Sequence, residues 1–454
     1  MKPKNILKYA MIAFLALHLF SACTNDTSAE QKFDKTPAER LNEQKSELNT
    51  ALLSSEFGWK AVYFTDDTQL GGFTHLFKFS ANGKVQMASD FNNDTATYES
   101  DYDVVLGSTV SLLFTTYNRI HLLSDSDSFP STALRGKGYL GDFQFLYYGQ
   151  ENGDILFKSN RLVKEIRFVK ATAQDWTDLP KNLVTEQNVV GANTRPLFRL
   201  LETNDGTTIK KYDFAFNKGT RYAVSNSVST GSSEVLSFGV GYTPTGIVVS
   251  PALVVGGQKL TTFVYNDADG SLTATGTGGV KATIKYSNAP LVLTDDYKLL
   301  LPGSGNNVYG YIYTITKPEA ANSSLFLSLL GSSEQAAGAM LTRVQLWFNN
   351  ADGSNYIEYR FGDANGATIA RRYHYFTLTS DAVNKTVTFT PGVWRSSTAV
   401  GAPAIATPSF LKALDDQFMN PNGLYFARTP VSGYKAYVFT STSAPFRMVA
   451  YSFQ

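Results

Sequence analysis

The chain of 454 residues holds a single cysteine, Cys23, so neither an internal disulfide framework nor a cysteine zinc site is open to it. Charge is scarce as well. Asp, Glu, Lys and Arg make up 17% of residues, below the usual quarter, and 40 basic side chains nearly balance 39 acidic ones. That balance leaves no electrostatic footprint for nucleic acid. Low charge beside ordinary apolar content argues against disorder. Histidine is rarer still. Past the N-terminal segment only His75, His121 and His374 occur, so a histidine metal site must be assembled by folding. No G-x-S-x-G, phosphate-loop lysine motif or H-E-x-x-H is present, and nothing calls for a cofactor. No apolar run is long enough for a membrane-spanning helix.

What is present begins with an address. Lys2, Lys4 and Lys8 form a positive stretch without acids, Tyr9 to Phe20 is apolar apart from His18, and Ser21 and Ala22 place small residues beside Cys23. This is the layout of a secretory signal. Leu19-Phe20-Ser21-Ala22-Cys23 resembles the lipobox of bacterial lipoproteins, in which the cysteine thiol is lipidated and the chain is cut before it. The expected organisation is a signal peptide over 1–22 and a lipidated tether over 23–35, holding the protein to the outer membrane through its acyl chains. Acids at Asp26, Glu30 and Asp34 loosely resemble surface-export signals, which leaves the cell surface and the periplasmic face both open.

Beyond the tether the punctuation is that of a β protein. Thr36-Pro37-Ala38-Glu39 predicts one helix start, with Leu41, Leu48 and Leu52 at helical spacing. The commonest signal after it is Asn-Gly or Asp-Gly between alternating apolar residues, the mark of a hairpin. It occurs at Asn82-Gly83, Asn152-Gly153, Asp205-Gly206, Asp269-Gly270, Asp352-Gly353, Asn365-Gly366 and Asn422-Gly423. Phe73, His75, Phe77 and Phe79 share one face of a strand. Ala171 to Glu186 reads as a connector, Pro318 to Gly338 carries a helical Leu/Ala run, and Thr407-Pro408 starts a helix with Phe410, Leu411, Leu414 and Phe418 as its buried stripe. The fold class is therefore mainly β, in several antiparallel sheet or barrel-like domains with few helices. The expected division is an N-terminal helix and β domain over 36–170, a middle β domain over 171–316, and a C-terminal β domain with helices over 317–454.

A resemblance covers much of this chain. The runs Gly58-Trp59-Lys60-Ala61-Val62-Tyr63, Gly71-Gly72-Phe73, Phe77-Lys78-Phe79, Asn82-Gly83-Lys84-Val85, Phe114 to His121 and Gly138-Tyr139-Leu140-Gly141-Asp142-Phe143 resemble a family of Bacteroidetes lipoproteins, domain of unknown function 4302. The family brings no established activity. It implies an envelope location and the company of outer-membrane importers of the starch-utilisation type. The Phe-rich strand and Asn-Gly turn of the first domain also look like lipocalin sheets.

Candidate chemistry is sparse. Gly136, Gly138 and Gly141 match G-x-G-x-x-G, but the motif binds nucleotide only between a strand and a helix, and here it reads as a flexible connection. Asn118, His121, Asp125 and Asp127 lie just before that loop, with Asp142 just after it. Together they are candidate ligand-binding residues, set against the plainer reading of side chains that cap their own backbone. His75 reads as a hydrogen-bonded sheet residue. Trp59, Trp347 and Trp394 read as core, whereas Trp176, in the connector, is the tryptophan expected to be accessible for stacking on a ligand. The acid pairs Asp66-Asp67, Asp295-Asp296 and Asp415-Asp416 cannot be raised to a hydrolytic dyad by adjacency alone, and the last is expected on the solvent face of its helix. The functional expectation is a non-catalytic, lipid-anchored accessory of nutrient uptake, with a glycan, a peptide or an importer as partner. A surface hydrolase with scattered carboxylates and a structural envelope protein are the alternatives.

Overall fold

A computed structural model of the chain describes residues 34–453, apart from 192–194, 288, 306, 318, 320, 364 and 432–433. The expected signal peptide, Cys23 and most of the expected tether lie outside the described residues. Helix α1 (Pro37–Leu53) starts where the sequence places it. The Thr36 hydroxyl accepts the Glu39 amide, and the Glu39 carboxylate accepts the Thr36 amide at 2.8 Å, which satisfies two otherwise orphaned donors.

Eight antiparallel strands between Trp59 and Lys170 close into a barrel in simple sequential order. Closure removes the exposed sheet edge, and alternation sends every second side chain inward. Phe73, His75, Phe77 and Phe79 line its interior with Tyr63, Phe114, Phe145, Phe157 and Phe168. Leu48, Ala51 and Leu52 of α1 join this cluster, and the Trp59 indole donates to the Leu52 carbonyl at 2.9 Å. Aromatic side chains thus pack the barrel, in contrast to lipocalin-type barrels that hold a ligand.

Helices α2 (Ala173–Asp178) and α3 (Lys181–Val190) form the connector. They lead into a nine-stranded antiparallel sheet between Phe198 and Ser287. A single bridge from Tyr212 to Ser227 brings the two ends of that sheet together. The first two units are locked by Arg221. Its guanidinium is buried between the rings of Phe73 and Tyr242, 4.2 and 4.3 Å from their centres, and donates to Asp90 Oδ1 at 3.0 Å. Asp90, fully buried, also accepts the Thr74 amide at 2.9 Å and the Asn182 side chain at 2.8 Å.

The last sheet also closes. Strand Asn307–Ile312 pairs with Met340–Phe348 and with Arg447–Ser452, and the ring is completed through Thr368–Asp381, Thr386–Arg395 and Leu424–Val431. Helices α4 (Ser324–Ala337) and α5 (Ser409–Phe418) pack Phe326, Leu330, Leu411, Leu414 and Phe418 into its core. The protein is mainly β, as its alternation and turns predict. Six of the seven Asn-Gly and Asp-Gly dipeptides turn hairpins, while Asn422-Gly423 instead links α5 to the strand from Leu424.

Two expectations about α5 and Trp347 need correction. Asp415 is not on a solvent face. It is 3% exposed and accepts from the Tyr359 hydroxyl at 2.7 Å, with His374 Nδ1 at 2.8 Å. The stripe Leu411, Leu414, Phe418 faces the barrel, and Asp415, four residues from Leu411, falls on the same side. Trp347 is only half-buried. It sits on the barrel's outer wall and stacks on Tyr356 at 5.7 Å.

Candidate functional site

The segment 115–125 leaves the first barrel after strand Val110–Phe114 and coils into a 3-10 turn over Arg119–Leu123. Asn118 caps that turn. Its side-chain oxygen accepts the Arg119 amide at 2.7 Å, and its amide nitrogen donates to the Tyr98 carbonyl and to Ser100 Oγ. The Asn118 backbone N–H donates to His121 Nδ1 at 3.1 Å, which leaves Nε2 as the protonated nitrogen of the neutral ring. Burial lowers the His121 pKa, so the neutral ring is favoured. His121 lies between two aromatic faces, Tyr117 at 5.5 Å and Phe143 at 4.8 Å, in a three-ring column.

Beside this column is a cavity of about 260 Å³, lined by Tyr98, Glu99, Tyr117, Asn118, Arg119 and Leu122. Tyr117 is 68% exposed and Tyr98 46%, yet neither ring is loose. Tyr117 rests on His121. The Tyr98 hydroxyl donates to Asp94 at 2.8 Å, and the Arg119 guanidinium sits 5.3 Å from the Tyr98 ring centre and 3.4 Å from the same Asp94. The Tyr98 hydrogen bond holds the Asp94 carboxyl below its ordinary range, so Asp94 is an anion and no general acid. Two aromatic faces, a fixed guanidinium and the Glu99 carboxylate can stack on a ring and bond its polar rim.

Of the residues expected from sequence, Asn118 and His121 belong to this site, Asn118 as a lining residue and His121 as the support of Tyr117. The others fall elsewhere. Asp125 caps its own turn by accepting the Asp127 amide at 3.0 Å, and Asp127 is exposed; neither lines the cavity. Asp142 accepts the Arg161 amide at 2.6 Å, and burial raises its pKa. Trp176 is half-buried against Leu76, Ala88, Ala171 and Leu179, and its indole donates to the Phe57 carbonyl at 2.8 Å, so it is a connector clamp and not an accessible stacking face. The glycine loop is clamped rather than flexible. Tyr139 and Gly141 both donate to the Leu123 carbonyl, and a Cβ on Gly141 would lie 2.3 Å from that of Leu123.

Tyr98, Glu99 and Arg119 went unread as site residues. The one local signal was an aromatic set in the polar run Asn92 to Ser100, where a core strand has no use for it. Among the described residues no group of three or more His, Cys, Asp or Glu gathers to hold a metal ion, and no helix is long and apolar enough to cross a membrane.

The family model described as "Domain of unknown function (DUF4302)" matches residues 29–267. Its match spans α1, the first barrel, the connector and most of the second sheet, the parts that the Arg221–Asp90 contact joins. No curated protein matches the chain. Among solved structures, the DNA polymerase sliding clamp from Bacillus subtilis is similar at 10% identity over 91% of this chain and 96% of that one, with a TM-score of 0.17, which carries no argument.

Proposed function

The chain belongs to the family of the domain of unknown function 4302, and from its tyrosine-walled pocket we propose that it is a lipid-anchored protein of the bacterial outer membrane that binds a nutrient without turning it over. The observation that carries this reading is the placement of Tyr98 and Tyr117 on one cavity, both exposed and both braced. A cavity of about 260 Å³ is a little below the ~300 Å³ at which drug-sized sites begin, and it suits one sugar ring. Glycan is therefore the first ligand class and peptide the second, with an importer as the partner that takes the cargo onward. The lipobox resemblance at Cys23 supports the anchor, and the resemblance to the Bacteroidetes family supports that envelope.

The acids support binding over hydrolysis. Asp67 pairs with Lys164, Asp295 with Lys298 and Lys385, Asp416 with Lys412, and Asp415 is sealed in a core. A surface hydrolase would draw on Asp142, the carboxyl that burial holds protonated to higher pH, but that chemistry needs a second carboxylate facing it. The test is calorimetric titration of the protein with a panel of oligosaccharides and peptides, each mixture then chromatographed for products. Saturable binding with no product is the expected result. Product formation that one Asp or Glu substitution abolishes would overturn the reading.

A further inference from the structure

The outer wall of the third barrel carries three arginines in register. Arg343 stands opposite Arg360, and Arg360 opposite Arg371, on three neighbouring strands. Neighbouring strands lie roughly 4.8 Å apart, and like charges directly opposite destabilise a sheet. One buried carboxylate answers them. Glu358 Oε1 accepts from Arg360 at 3.0 and 3.1 Å and lies 3.5 Å from Arg371. Arg343 is left out of this arrangement. It makes no ion pair or side-chain hydrogen bond with a described residue; the Phe453 ring lies 5.9 Å away, and Glu358 acts on it only through space. Burial and the neighbouring Arg360 hold its pKa below the ordinary arginine range, the condition of a cation short of a counter-charge.

Arg343 and Arg360 line a cavity of about 320 Å³ whose other walls include Thr342, Thr368, Asn365 and Tyr313. We propose that this cavity binds an oxyanion, the carboxylate, sulfate or phosphate group of a ligand, held chiefly by the unpaired guanidinium of Arg343. A planar guanidinium offers paired donors that match the two oxygens of such a group. The threonines and Asn365 add neutral hydrogen-bonding groups around it. The incoming charge also relieves the opposition of Arg343 and Arg360, which Glu358, bonded to Arg360 and Arg371, offsets for Arg343 only at a distance. This site is on a different barrel from the tyrosine pocket and stands independently of it.

The test is titration of the whole protein at low ionic strength with inorganic phosphate, sulfate and glucuronate, with glucose as the neutral control. The wild type should bind at least one anion, and any glucose binding, which belongs to the tyrosine pocket, should be the same in wild type and Arg343→Gln. Phosphate or sulfate binding identifies a tetrahedral anion as the natural group, and glucuronate binding alone identifies a sugar acid. Arg343→Gln should weaken the anion at least tenfold, while Arg343→Lys, which keeps the charge but loses the fork, should fall between. Because Arg343 makes no ion pair or side-chain hydrogen bond among the described residues, Arg343→Gln leaves no buried partner unpaired and should melt close to wild type without ligand. Absence of binding by all three anions, or equal affinity in wild type and Arg343→Gln, would overturn the proposal.

Discussion

His374 Nδ1 lies 2.8 Å from Asp415 Oδ2 in the interior of the third barrel, with the Trp394 ring stacked on the imidazole at 4.3 Å. The same carboxylate accepts the Tyr359 hydroxyl, and burial, with Asp415 beside it, holds the Tyr359 pKa well above its usual value. A helix and two strands are thus tied at one buried carboxylate, through Tyr359 on one strand and His374 on the other.

Removing that carboxylate strands its buried partners. Asp415→Ala should cost about 3–5 kcal/mol of unfolding free energy, the range seen when one side of a buried polar pair is deleted. Tyr359→Phe should then cost much less in the Asp415→Ala background than alone, because its acceptor is already gone. Urea denaturation of the four proteins measures both.

The Arg221–Asp90 contact makes a similar claim about the joint between the first barrel and the second sheet. Asp90→Ala leaves Arg221 buried and unpaired, and should destabilise that joint by about 3–5 kcal/mol. Gly239→Ala attacks it differently: a Cβ there would lie 2.4 Å from the Leu70 carbonyl across the joint. Either change should split the calorimetric unfolding of the first two units into separate steps. Scanning calorimetry that still shows them melting together would count against the joint.

His75 predicts an acid limb in stability. It is fully buried in the first barrel, its Nδ1 is 3.2 Å from the Phe73 carbonyl, and burial pushes its pKa down to about 4 from 6.5. Between those two values the unfolded chain binds a proton that the folded chain refuses. Stability is therefore unaffected by His75 above about pH 6.5 and falls as pH drops from there to about 4, by up to ~1.4 kcal/mol per pH unit. His75→Phe should flatten that slope in denaturation curves across the window. Equal slopes would show that His75 does not titrate as described.

Local chemistry was the legible part of this protein. Thr36 and Glu39 are three residues apart, so the cap of α1 could be read directly, and the Asn-Gly turns are two-residue signals. The barrels were legible only as alternation, because closure depends on pairings such as Tyr309 with Ser452, far apart in the chain. The burial of Asp415 is not legible, because a charge on a helix suggests water, and His374 and Tyr359 come from strands that the helix pattern does not reveal. The candidate site was half legible. Asn118 and His121 stand on one turn, but Tyr98 joins them only because Asn118 reaches back to its carbonyl.

The anchor has its own check. Cells given radiolabelled palmitate should incorporate it into the wild-type protein, which should partition into detergent. Cys23→Ala should lose both behaviours, and identical behaviour of the two proteins would remove the membrane from the account.

The most direct measurement is the affinity of Tyr117→Ala for whichever oligosaccharide the wild type binds. Tyr148→Ala serves as its control, an equally available ring (55% exposed) outside the cavity lining. The account predicts a loss of tenfold or more for Tyr117→Ala and no change for Tyr148→Ala, the loss expected when a ring that stacks on the ligand is removed. Unchanged affinity in Tyr117→Ala, or an equal loss in both variants, would contradict the tyrosine-walled cavity as the binding site.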